Sequence, residues 1–200
     1  MFNVSIVRAA FHEAMIHDED VDIRNYIIAY KELSKFCSQL GTIFNFVVKD
    51  IEDKLWRLNE LMRQDNSNFV TVKAMILYER SNGELAHNSG CITLLRLHRG
   101  LDFIVQFMTK LCQLEPKDST SSSAIEAYDI TLAKHHSWLI RTGARMAMKF
   151  LPNQETLYHQ AVGESNHETS NTMPDMISKA SLVHHRVNRL FLDYEILHLP

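Results

Sequence analysis

Three short constellations hold the residues whose types and spacing could do chemistry. The first is Asp50 followed four residues later by Lys54, with Phe46, Val47 and Ile51 around them. On a helix, an acid four residues before a base is the favourable order for an ion pair, worth ~0.3–0.5 kcal/mol. The pair reads in two ways: a solvated surface pair, or a site where the carboxylate accepts donors from a ligand while the ammonium binds an anion. The second lies in Cys91-Ile-Thr-Leu-Leu-Arg-Leu-His-Arg99, where positions 92, 96, 99, 103 and 107 place Arg96 and Arg99 in a stripe with Ile92, Phe103 and Phe107. A guanidinium among apolar neighbours must find an acid, an anionic ligand or solvent, because an unpaired buried charge is very costly. Asp50, Glu79 and Asp102 are the acids within reach of this reading. The third is His135-His136-Ser137-Trp138. Adjacent histidines on a helix point in different directions and do not chelate. His136 shares a helical face with Leu132 and Ile140, which fits either a satisfied core histidine or a ligand donor.

Other patterns carry less. His12-Glu13 with His17 departs from the zinc-protease spacing, since the second histidine comes five residues after the first rather than four. The sequence has no GxSxG, no phosphate-binding P-loop, no GxGxxG and no CxxC. Cys37, Cys91 and Cys112 are odd in number and widely spaced, which fits reduced thiols. Nine methionines read as core filler suited to an adaptable pocket.

These residues need helices to position them. In 200 residues there are 6 Gly and 4 Pro, and the first 115 residues contain no proline. So few turn formers disfavour a strand-rich sandwich or barrel, and the apolar residues recur at three and four rather than alternating. Helices are predicted over about 2–16, 21–40, 43–64, 69–81, 89–113, 123–150, 154–163 and 174–196. Gly41 is expected to end the second, Thr42 to cap the third, and Ser123-Ala-Ile-Glu126 to form a capping box opening the sixth. The fold class is all-α, in a single domain spanning 1–200.

Composition sets further bounds. Apolar residues make up 46% and charged residues 22%, which is ordinary globular composition with enough bulk for a core. The formal net charge of −3 removes the global basic excess expected of a nucleic-acid binder. No apolar run reaches 18 residues and the start of the chain reads as no signal peptide, so a cytoplasmic protein is expected. No metal or cofactor is called for.

Three segments in register resemble the glycolipid transfer protein superfamily. They are Leu40-Gly-Thr-Ile-Phe-Asn-Phe-Val-Val-Lys-Asp50-Ile-Glu-Asp-Lys54-Leu, Leu95-Arg96-Leu-His-Arg99-Gly-Leu-Asp-Phe103 and Ala133-Lys-His-His136-Ser-Trp138, and the resemblance covers about residues 20–200. The closing Leu197-His-Leu-Pro200 is similar to the ceramide-1-phosphate branch. The resemblance implies a two-layer helical sandwich that holds a sphingolipid's chains in an apolar pocket and its head group at the surface. It implies that Asp50 accepts from the sphingoid amide and hydroxyl, that His136 donates to the amide carbonyl, and that Trp138 lies at the membrane-docking surface.

The sugar-binding branch carries Asn in the place of Lys54 and Trp in the place of Arg96. Two cations there suit a phosphate, through charge-assisted hydrogen bonds. The phosphate branch usually has a further Arg one turn earlier, where this chain has Ile92; Arg99 is a candidate substitute contact. The expected function is transfer of ceramide-1-phosphate between membranes, by transient peripheral contact and with no catalytic residues. The rivals are glycosylceramide transfer on the same fold and a helical lipid sensor or interaction module that moves no lipid. The first helix, with Val4, Ile6, Val7, Phe11 and Met15, is expected to cover or gate the pocket, so that deleting residues 1–16 alters transfer rate or selectivity.

Overall fold

The computed structural model describes residues 2–83, 85, 89–162 and 167–200, with side chains left aside at 160–162 and 167–171. Nine α-helices follow one another among these residues: α1 Val4–Ala14, α2 Ile23–Gln39, α3 Asn45–Gln64, α4 Val72–Ser81, α5 Gly90–Leu111, α6 Thr120–Ile130, α7 Trp138–Met148, α8 Gln154–Val162 and α9 His167–Asp193. The extended contacts among the described residues are isolated bridges, such as Asp22 with Thr71. The all-α class stands, and the helices pack as the expected two-layer sandwich. Residue 163, the expected end of α8, lies outside the described residues.

Most helix starts are set by short polar side chains. Asn3, Asp22, Thr71 and Ser89 each accept a first-turn backbone N–H of the helix they precede. The ends follow the same local logic at Gly41, whose φ of 117° is open to glycine and strained for other residues, so α2 stops there.

Four expectations are corrected. Thr42 does not cap α3; it begins a 3₁₀ turn, Thr42–Phe44, and the N-cap position Phe44 offers no side-chain acceptor. The capping box at Ser123 is not formed, because α6 starts earlier with Ser119 accepting from Ser121 N at 3.3 Å. The last helix starts well before 174 and carries Pro174 inside it.

The largest difference is the sixth predicted helix, which is two. Thr131 turns its hydroxyl back onto Ala127 O at 2.7 Å, a 3₁₀ turn follows over Ala133–His135, and Ser137 caps α7. Side chains of this kind compete with the helix ladder for backbone groups, which ends a helix without Gly or Pro. His136 is therefore in extended backbone, φ −111° and ψ 145°, rather than on a helical face with Leu132 and Ile140.

α1 packs against α2 and α9, burying Val4, Val7 and Phe11. α5 is the central element, touching α3, α4, α6 and α9. Its start is held by Glu79 of α4. This buried carboxylate accepts from Gly90 N at 2.5 Å and Cys91 N at 2.9 Å, at the helix end where backbone N–H groups lack partners. Thus α4 fixes the helix that carries Arg96 and Arg99.

Candidate functional site

A cavity of about 1150 Å³ opens between α3, α5 and the α6–α7 region. That is just above the usual range for a ligand pocket, about 300–1,000 Å³, and large enough for a lipid. Its apolar wall includes Leu40, Phe44, Phe103, Ile104, Ala147 and Met148. Its polar wall is made by Asp50, Lys54, Arg96, Arg99, Tyr128 and His136. Residues from α2, α3, α5, α6 and α7, and from the connections that precede α3 and α7, thus converge on one opening.

Asp50 and Lys54 are ion-paired within α3, Nζ to Oδ1, and Nζ also reaches Asp50 O at 3.4 Å. The two ends of the pair are unlike. Lys54 is 16% exposed and Asp50 is 66% exposed. The ammonium is therefore drawn into the wall while the carboxylate stays open at the mouth with acceptor capacity left over. Asp50 and Lys54 thus form an ion pair that lines the cavity.

Arg96 lines the cavity, half-buried, with no hydrogen-bond or ion-pair partner among the described residues. The acids considered for it are otherwise engaged or elsewhere. Asp50 is paired with Lys54 and Glu79 with the start of α5, while Asp102 lines a smaller adjoining cavity, about 210 Å³, that shares Arg99 and His135 with the first. Arg99 differs: its Nη2 donates to Leu197 O at 3.1 Å and Leu199 O at 2.7 Å. Burial, and secondarily the charge of Arg96, hold its pKa below the usual arginine value. Ile92 is buried and takes no part in the cavity wall.

His136 sits with Nδ1 2.8 Å from Tyr128 Oη. Burial lowers its pKa and Asp50 pulls it back up, so the ring is biased to its neutral form. Burial likewise raises Tyr128, which keeps its proton. When the phenol donates to Nδ1, the neutral imidazole carries its proton on Nε2 as a donor for the cavity.

Trp138 does not line the cavity. It opens α7, 70% exposed, followed by Leu139 and Ile140, which are also exposed, as is Phe150 past the other end of the helix. The first helix lies outside the cavity wall as well. The segment just before it reaches the wall through a chain of rings: Phe2 to Phe36 at 5.5 Å, Phe36 to Phe107 at 6.4 Å, and Phe107 stacked on the wall residue Phe103 at 5.9 Å.

Two contributors escaped the sequence reading. Tyr128 lay in a segment read as one continuous helix, so nothing marked its approach to His136. His198, Leu199 and Pro200 line the cavity although they are distant in sequence from its other walls. The Arg99 guanidinium was the available signal for them, since it needed acceptors. Among the described residues, no group of three or more His, Cys, Asp or Glu side chains could hold a metal. No helix among them is long and apolar enough to cross a membrane.

Comparison with known proteins agrees with this architecture. The family model for glycolipid transfer protein matches residues 21–163. The chain is 30% identical to the ceramide-1-phosphate transfer protein of Danio rerio, over 100% of this chain and 98% of that one. It is 29% identical to the Homo sapiens protein of the same name, over 100% and 97%. The crystal structure of apo mouse ceramide-1-phosphate transfer protein superposes with a TM-score of 0.93 at 29% identity, covering 100% of both chains. The human protein in complex with 12:0 ceramide-1-phosphate superposes with a TM-score of 0.91 at 28% identity, again over 100% of both.

Proposed function

The chain belongs to the glycolipid transfer protein family, and from that premise we propose that it carries ceramide-1-phosphate between membranes. The observation that carries the head-group assignment is Arg96: a half-buried guanidinium lining the same cavity as the Asp50–Lys54 pair, with no protein partner among the described residues. A phosphate supplies the missing anion. Arg96 donates to it as a planar fork and Lys54 as a point charge. Asp50 accepts from the amide N–H and hydroxyl of the sphingoid base, and the Nε2 proton of His136 goes to the amide carbonyl. The chains enter the apolar part of the cavity.

Transfer follows from burial. Exposing acyl chains to water costs ~0.8 kcal/mol per CH₂, so unaided desorption is slow. A cavity that replaces the membrane interior lowers that barrier, while the head-group contacts select the cargo. No bond is made or broken in this reading, and the protein acts in the cytoplasm with peripheral, reversible membrane contact.

The exposed apolar side chains that begin with Trp138 form the docking surface, where an aromatic ring sits well between water and hydrocarbon. The N-terminal segment gates the cavity through the ring chain from Phe2 to Phe103 rather than by covering it.

The test is vesicle-to-vesicle movement of labelled ceramide-1-phosphate, glucosylceramide and phosphatidic acid, with Asp50→Val and Arg96→Leu as controls. Selective movement of ceramide-1-phosphate, lost in both variants, supports the proposal. Movement of glucosylceramide instead overturns the head-group assignment.

A further inference from the structure

The segment after α9 turns back onto the cavity. Glu195 takes φ 55°, Ile196 N donates to Phe191 O at 2.9 Å, and the chain reverses. Arg80 Nη1 donates to Tyr194 O at 3.0 Å and holds the start of the turn. Arg99 Nη2 holds its far end through the carbonyls of Leu197 and Leu199, and His198, Leu199 and Pro200 become cavity wall. Arg99 follows Arg96 by three residues in α5, so the two side chains are neighbours on one helix face. The charge of Arg96 is felt at Arg99, which agrees with that closeness. The segment is therefore pinned one turn from the guanidinium that has no protein partner.

We propose that residues 197–200, clamped by Arg99, are the wall that limits head-group size, admitting a phosphate monoester at Arg96 and Lys54 and excluding a phosphodiester that bears ethanolamine or choline. The inference rests on the reading above that the phosphate binds at Arg96 and Lys54. The physical reason is the cost of moving the wall. A larger head group must break two hydrogen bonds from a charged donor and leave a part-buried guanidinium without acceptors. A diester also brings one negative charge where a monoester brings nearly two, so it returns less electrostatic energy for that displacement. Selectivity then comes from a penalty against the wrong ligand as well as attraction to the right one.

The experiment is vesicle transfer of labelled ceramide-1-phosphate, ceramide phosphoethanolamine and sphingomyelin by the full chain and by four variants: Leu199→Gly, deletion of residues 198–200, Arg99→Gln and Arg99→Lys. The readout is the ratio of diester to monoester transfer. The intact chain should move the monoester and leave the diesters. The ratio should rise at least tenfold in the glycine, deletion and glutamine variants and less in the lysine variant, which keeps a charged donor. A merely structural role for Arg99 would lower all three lipids together. An unchanged ratio in variants that keep a cooperative melt overturns the size-limiting wall, as does diester movement by the intact chain. Failure of the intact chain to move ceramide-1-phosphate sinks the head-group reading instead. Leu199→Gly leaves every guanidinium in place, so the test survives if the Arg99 variants do not fold.

Discussion

The phenol of Tyr128 and the imidazole of His136 meet at 2.8 Å across the break between α6 and α7. The contact joins the end of one helix to the connection before the next, and it decides which imidazole nitrogen is left for the cavity. Tyr128→Phe removes it without changing the ring. The loss in stability should be about 1 kcal/mol, the net value of an ordinary hydrogen bond. Ceramide-1-phosphate transfer should fall several-fold because His136 no longer holds one tautomer and orientation. Urea denaturation and transfer rates check the two effects separately. Unchanged transfer would remove Tyr128 from the site.

Arg96→Leu should separate function from stability. The guanidinium is half-buried without a protein partner among the described residues, so replacing it by an apolar side chain relieves a desolvation cost. The expected change is between none and a gain of about 1 kcal/mol, with lipid transfer abolished. A melting temperature well below that of the intact chain would mean that Arg96 holds the fold.

Glu79→Gln should weaken the start of α5. The carboxylate accepts from two first-turn N–H groups, and glutamine keeps one acceptor oxygen and loses the charge. A cost of about 1–2 kcal/mol follows from the lost charge-assisted bond and its interaction with the helix dipole. Denaturant midpoints measure it. Amide hydrogen exchange should show the loosening concentrated at residues 90–93 rather than spread through the chain.

Trp138→Ala should leave stability within about 0.5 kcal/mol, because the ring is 70% exposed and makes no core contact. Sedimentation with vesicles should fall markedly, and transfer with it, while binding of a short-chain ceramide-1-phosphate in solution stays intact. Equal loss of solution binding would place Trp138 in the pocket instead of at the membrane.

Acid should weaken the fold through His98. Burial, helped by His184, holds its pKa down to about 3, against about 6.5 in an unfolded chain. Its ring stacks on His184 with centroids 4.1 Å apart, and its Nε2 lies 3.3 Å from Asn188 Oδ1. As pH falls below about 6.5 the unfolded chain takes up the proton first, so stability drops from there toward about pH 3; above 6.5 both states are neutral and this group contributes no slope. His184 is lowered in the same direction by burial and adds to the effect. His98→Phe keeps an aromatic ring against Phe191 and should flatten the loss between pH 7 and pH 4. Parallel denaturation curves for the two proteins across that range would sink this account.

What the sequence by itself determined is everything that rests on local pattern. Spacing of three and four, scarce Gly and Pro, and short polar caps made the chain all-helical. The pairs Asp50–Lys54 and Arg96–Arg99 were legible because residues three or four apart on a helix must be neighbours. Their convergence with His136 on one cavity was legible only through the family resemblance, since no spacing rule links α3, α5 and the α6–α7 connection. The tertiary structure decided the rest. It split residues 123–150 into two helices, where Thr131 and Ser137 bind backbone groups and Tyr128 holds His136. It also gave Arg99 to the carbonyls of Leu197 and Leu199, and left Arg96 without a protein partner among the described residues. Both outcomes depend on which groups meet after distant segments pack. A charge with alternative partners is assigned by the geometry of that packing, and the sequence holds only the list of candidates.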